Sequence, residues 1–174
     1  MKTWDDCVAF HGHSCNGLAI GYQAARCAAE LLALDFSSDE ELLCIAENDA
    51  CGIDAIQVLL GCSAGKGNLL FRLRGKQVFH FYRRSDGRSL RLMLKPRPTG
   101  LSKEESFRYL MDSAPTALFE AQPSPLPLPE TARIFRSYPC DGCGEITASH
   151  WLRLTEDKKL CLDCYRQYPR FDLQ

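Results

Sequence analysis

No apolar run in this 174-residue chain reaches the length of a bilayer span, so a helical membrane protein is excluded. The opening Met1-Lys2-Thr3-Trp4-Asp5-Asp6-Cys7 lacks the apolar core of a signal peptide, and a cytoplasmic chain is expected. Charge of one sign is scarce as well. The formal net charge is -1 and the pI is near 6.4, which gives no global attraction to nucleic acid or anionic lipid. A phosphate-binding loop is also missing, although Gly61 to Lys66 superficially suggests one. Its spacing is one residue short, and Gly67 stands where a magnesium-holding hydroxyl is required. The segment also follows a helical pattern, whereas such a loop follows a strand.

Cysteine, by contrast, is abundant, with ten residues. A secreted disulfide scaffold does not explain them, because the chain is long, shows no export signal and places four of them in two Cys-x2-Cys pairs. Cys140-Asp-Gly-Cys143 and Cys161-Leu-Asp-Cys164 have the spacing of a four-thiolate zinc site. A segment of this size cannot bury enough apolar surface to fold unaided, so the ion is expected to be structural. The proline-rich stretch over residues 122–131 is the expected linker, dividing a core domain of residues 1–121 from a zinc-finger domain of residues 132–174.

In the core the chemistry gathers in two stretches. Phe10-His11-Gly12-His13-Ser14-Cys15 places two imidazoles and a thiol at alternate positions, which would point one way if the backbone were extended. These are donors that zinc prefers. Cys15 precedes a helical pattern over 18–34, where the positive end of the helix favours a thiolate. The second stretch, residues 47–68, carries Cys51 and Cys62 at the ends of a helix whose buried face is Ile53, Ile56 and Leu60. Gly61 stops that helix, and Asn48 and Asp49 are the expected caps. Cys27 and Cys44 sit in apolar surroundings and read as core.

Residues 42–47 read as a buried strand, and 69–74, 77–82 and 89–95 as an antiparallel meander. Leu90, Leu92 and Leu94 alternate with Arg91, Met93 and Lys95, and Phe71 and Leu73 with Arg72 and Arg74, so one face is core and the other basic. Ser102-Lys103-Glu104-Glu105 is a capping box that opens a helix.

The Phe-His-Gly-His-x-Cys run, the stretch Glu-Asn-Asp-Ala-Cys-Gly-Ile-Asp-Ala-Ile-Gln-Val, the loop Gly-Cys-Ser-Ala-Gly-Lys-Gly-Asn and the trailing four-cysteine segment together resemble the formylmethanofuran dehydrogenase FmdE family. The likeness covers residues 8–120 of the core and 138–168 of the finger. It implies an α+β fold, with a thioredoxin-like core of mixed β-sheet flanked by helices and a small C-terminal treble-clef zinc finger. It also implies a homodimer and association with a partner such as a molybdenum enzyme complex. Asn16 stands where the family usually has proline, and Arg74 where it often has aspartate.

The expected function is that of a metal-binding accessory protein. His11, His13, Cys15, Cys51 and Cys62 converge on a second zinc-like ion in the core, with Asn48 and Lys66 as candidate cofactor contacts. One alternative is an enzyme with Cys15 or Cys62 as nucleophile and His13 as its base, or with the core metal as Lewis acid. Another is an adaptor whose finger recruits a protein through Trp151, Tyr165 and Tyr168. Nucleic acid is disfavoured for the finger, where from residue 131 onward seven Lys or Arg face six Asp or Glu.

Overall fold

Thr3 starts the first helix. Its hydroxyl accepts from the Asp6 amide at 3.3 Å, and the Asp6 carboxylate accepts from the Thr3 amide at 2.7 Å, a capping box that opens α1 (Trp4–His11). Gly12 closes it in the left-handed region with φ 94°. The extended run expected over 11–15 is therefore not observed, because His11 belongs to a helix end and Gly12 turns the chain. The computed structural model describes residues 2–168 and Arg170. It divides into two units, Met1–Ala132 and Arg133–Gln174.

Cys15 caps α2 (Asn16–Leu32), its sulfur accepting from the Leu18 amide at 3.3 Å. After β1 (Leu42–Ala46), α3 (Gly52–Leu60) packs against α2 through glycine. A Cβ on Gly21 would lie 1.9 Å from the Gly52 carbonyl oxygen, and one on Gly52 only 3.0 Å from the Gly21 Cα. This close approach brings the starts of α2 and α3 together. Asn48 and Asp49 do not cap α3. Asn48 accepts from Ala50 at 3.2 Å and donates to the Lys76 carbonyl at 2.8 Å, so it ties the preceding turn to the end of the sheet.

The sheet runs β2-β1-β3-β4-β5, with β2 (Leu69–Phe71), β3 (Val78–Arg83), β4 (Ser89–Leu94) and β5 (Phe119–Gln122). β2 lies parallel to β1, and the other neighbours are antiparallel. Of the expected meander only the β3–β4 hairpin forms. The Arg72 amide donates to the Ala46 carbonyl and the Arg74 and Lys76 amides to that of Glu47, so residues 72–77 arch over the end of β1. Phe71 and Leu73, expected on the core face, are exposed because the chain leaves the sheet there. Two further helices, α4 (Lys103–Asp112) and α5 (Pro115–Leu118), precede β5, and the Ser102/Glu105 capping box opens α4 as expected. The α+β class, with a mixed sheet and helices, is the observed one. Among the described residues no helix is long and apolar enough to cross a membrane.

One face of the sheet presents Cys44, Ala46, Phe79, Phe81, Leu90 and Leu92 to the helices. The other presents Leu43, Ile45 and Tyr82, covered by Leu126 of the proline-rich stretch. That stretch is strapped down: Tyr82 donates to the Leu126 carbonyl at 3.0 Å, Arg84 to that of Pro129 at 2.8 Å, and the Ala132 amide to Glu40 at 2.9 Å. Beneath it lies a polar network, and Arg72 and Arg91, expected on the basic face, stand on this side beside His80. Buried Glu47 takes Arg72 at 2.9 Å and His80 Nε2 at 3.2 Å, and His80 Nδ1 meets the Ser124 hydroxyl of the strap at 2.8 Å.

This network sets an acid limit on stability. Burial outweighs Glu47 and lowers the His80 pKa, so protonation of His80 favours the unfolded chain. Its contribution is whole above about 6.5 and declines as pH falls toward the lower folded value. Burial raises the Glu47 carboxyl, but His80 and Arg72 together more than offset it, leaving the pKa lowered. That contribution is lost as pH falls through the depressed folded value. Both groups have the same sign, so the urea midpoint of the first unit should fall on acidification from pH 7 to 5 and again below about 4.3. A midpoint that rises over this range would contradict the assignment.

Among its described residues the second unit contains two antiparallel hairpins, β6 (Ser137–Pro139) with β7 (Ile146–Ala148) and β8 (Arg153–Thr155) with β9 (Lys158–Leu160), and a short 3-10 turn, Ser149–Trp151, between them.

Candidate metal centres

In the finger, Cys140 and Cys143 follow β6, and Cys161 and Cys164 follow β9, so each hairpin arrangement delivers one Cys-x2-Cys pair. The four sulfurs lie within 4.8 Å of one another. The Cys161 and Gly142 amides donate to Cys140 Sγ at 3.2 and 3.4 Å, and these bonds help lower the Cys140 thiol to about 6. Hydrogen bonding to Cys161, then to Cys143 and Cys140, pushes Cys164 up to about 12. Four thiolates this close need a cation to neutralise them. A Cβ on Gly142 would stand 2.9 Å from Cys164 Sγ, so the turn is shaped to bring sulfurs together. This is an S4 donor set, the kind that can hold zinc in tetrahedral coordination.

The first unit carries a different cluster. Ligand atoms of His11, His13 and Cys15 also lie within 4.8 Å of one another. His11 comes from the last turn of α1, His13 from the loop after Gly12, and Cys15 from the cap of α2. The helix stop at Gly12, not a strand, makes them converge. The two imidazole centroids are 4.5 Å apart. His11 Nδ1 meets the Asp54 carboxylate at 2.7 Å, leaving Nε2 3.9 Å from Cys15 Sγ. Asp54 stands in the first turn of α3 and is itself held by Gln57 at 3.1 Å. Sequence reasoning missed Asp54, because its partner is 43 residues away. The available signal was its place three residues after Cys51, on the polar side of a helix whose other side is Ile53 and Ile56.

Cys51 lies against Cys15: both sulfurs are within 4 Å of where a Gly17 Cβ would stand, at 3.4 and 3.8 Å. Burial first, then the hydrogen bond to Cys15, raises the Cys51 thiol. Cys62 does not join them. It is fully buried and burial pushes its thiol up to about 12, beside Cys44, whose thiol burial also raises well above its ordinary value. It is a core residue, because the α3 stop at Gly61 turns it inward under the sheet. Lys66 is also elsewhere, donating to the Ser37 carbonyl at 2.8 Å and lying over Phe36, so it braces a loop and faces no thiolate of the cluster. Asn48 is likewise spent on backbone. The imidazole placed against Cys15 is that of His11, in the role expected of His13.

The family model described as FmdE, molybdenum formylmethanofuran dehydrogenase operon, matches residues 10–124. This chain belongs to the FmdE family. The match takes in the FmdE core with His11, His13, Cys15, Cys51 and Asp54, and stops before the finger. The chain is 26% identical over 191 residues to the "Probable S-adenosyl-L-methionine-binding protein" of Archaeoglobus fulgidus, a match covering 91% of this chain and 51% of that protein. It thus spans about half the length of that relative. The crystal structure of a tungsten formylmethanofuran dehydrogenase FmdE-like protein from Syntrophus aciditrophicus shares the fold, with a TM-score of 0.66 at 23% identity, covering 92% of this chain and 88% of the other.

Proposed function

We propose that this FmdE-family chain is an accessory protein whose core binds a zinc-like divalent ion through His11, His13 and Cys15, while zinc holds the finger together. The observation that carries this reading is the convergence of three good donors with Asp54 behind His11. Metal-binding histidines characteristically donate their second ring nitrogen to a carboxylate, which fixes the ring and raises its basicity. Three protein donors leave a coordination position for an exogenous ligand, whereas the four thiolates of the finger leave none.

Metal analysis of the purified chain should give two equivalents, falling to one in Cys15→Ala. A ratio of one that Cys15→Ala does not change would overturn the core site. Asp54→Asn should keep the ion but weaken its binding about 10–100-fold in chelator competition. Unchanged affinity would show that Asp54 does not support the centre.

Two further readings have observations of their own. The order Asp54, His11, Cys15 is that of an orienting carboxylate, a base and a nucleophile, which supports a thiol-dependent enzyme. Exposed Trp151, Ile146 and Leu154 on the finger support an adaptor that docks a second copy of the chain or a molybdenum enzyme complex.

A further inference from the structure

A cleft of about 480 Å³ opens beside the core cluster, lined by Ser14, Cys15, Asn16, Lys103, Glu104, Phe107 and Arg108. It lies between the start of α2 and the first two turns of α4, and the Asn16 side chain, donating to the Lys103 carbonyl at 3.4 Å, ties those two starts together. Cys15 is the residue the cleft shares with the cluster.

The lining has a definite chemical character. Lys103 and Arg108 are exposed and form no ion pair within 4 Å among the described residues, although Glu104 and Glu105 are close by in sequence. The Glu105 carboxylate accepts from the Ser102 amide at 2.8 Å, and that bond, with Arg108 nearby, holds it ionised. Glu104 and Glu105 balance the two cations in number, so a carboxylate would be held by the directed donors of Lys103 and Arg108 and not by net charge. Ser14 and Asn16 add short polar side chains near Cys15. Phe107 adds an aromatic wall, braced from behind by Trp4 with ring centroids 5.6 Å apart. Arginine's planar fork matches a carboxylate, and an aromatic wall favours a ligand with a flat or apolar body.

We propose that this cleft is the ligand pocket of the core centre and takes a small organic monocarboxylate. The acid group sits between Lys103 and Arg108, and the body lies on Phe107 toward Cys15. The proposal rests on the core-metal reading above, since the open coordination position there is what the ligand would approach.

The test separates the two readings by using cobalt as the probe for the metal and benzoate as the probe for the pocket, with neutral benzamide as the control. The full chain is compared with the double variant Lys103→Gln/Arg108→Gln, both positions being exposed and outside the cluster. With the finger already filled with zinc, so that cobalt–thiolate absorption reports the core alone, cobalt uptake should be equal in the two proteins. Benzoate should bind the wild type and perturb that absorption, benzamide should not, and the double variant should bind benzoate at least ten-fold more weakly. Benzoate binding that the double variant leaves unchanged, equal binding of benzamide, or no benzoate binding overturns the pocket while leaving cobalt uptake to stand. If the core takes no cobalt, the metal reading fails by itself. Calorimetry of benzoate on that same protein then decides the pocket by the same dependence on Lys103 and Arg108.

Discussion

Cys143→Ser or Cys161→Ser is expected to unfold the second unit, residues 133–168, while residues 2–132 stay folded. Among the described residues of that unit the buried hydrophobic side chains are Cys140 and Cys161. Ile134, Ile146 and Leu154 are exposed, so two short hairpins are left with no apolar core of their own. The ion then supplies the folding free energy, which for structural zinc sites is about 10–16 kcal/mol near neutral pH. Serine at one position removes a thiolate and leaves the other three to repel one another. Limited proteolysis read by mass spectrometry should show cleavage throughout the unit in either variant, and in the wild type after a strong chelator. Full protease resistance of the finger in the presence of chelator would show that it folds without metal. The first unit has Phe79, Phe81, Ile56, Leu92 and Leu110 wholly buried, and should keep its own cleavage pattern.

Gly21→Ala should be the most damaging small substitution in the first unit. Its new Cβ would meet the Gly52 carbonyl oxygen at 1.9 Å and the Gly52 Cα at 2.4 Å. Both are backbone atoms, so no rotamer change relieves the overlap and α2 must move away from α3. Overpacking a core costs about 1–3 kcal/mol, and a clash with backbone belongs at or above the top of that range. The displacement also reaches the site. Cys15 and His11 are positioned from α1 and α2, whereas Asp54 and Cys51 are positioned from α3, so separating the helices breaks the 2.7 Å bond between His11 and Asp54. The variant should lose core metal affinity together with thermal stability. Ala24→Gly, at another buried position of α2, adds no atom to the crossing and should cost about 1 kcal/mol and leave metal affinity as it is. A Gly21→Ala protein that melts like the wild type would mean that the helices do not approach this closely.

Stability and chemistry are joined differently in the two units. In the finger one cluster of sulfurs serves as the core, so metal and fold are lost together. In the first unit an apolar core of ordinary size carries the fold. The candidate donors His11, His13 and Cys15 sit at and between helix ends on its rim, where their removal need not unfold it. Cys62→Ala belongs with the core substitutions, since Cys62 is buried under the sheet and away from the cluster.

Local chemistry was legible in the amino-acid sequence. The spacing of the four finger cysteines, the cap at Ser102, the stop at Gly61, the buried strand of residues 42–46 and the start of a helix just after Cys15 depend on residues within a few positions of one another. Side-chain type and spacing are sufficient for such features. The donor set His11, His13 and Cys15 was legible for the same reason, although its convergence comes from a helix stop and not from an extended strand. What the tertiary structure decided are relations between distant residues. β2 pairs parallel with β1 because backbone bonds to Ala46 and Glu47 turn the chain over the strand end, and alternation alone does not distinguish that from a hairpin. Asp54 joins His11, and Cys51 joins Cys15, because three glycines let two helices touch, while Cys62, eleven positions beyond Cys51 on the far end of the same helix, is carried into the core. A nine-residue helix separates its ends by about 1.5 Å per residue, so thiols at its two ends cannot share one small centre unless the chain folds back, and here it does not.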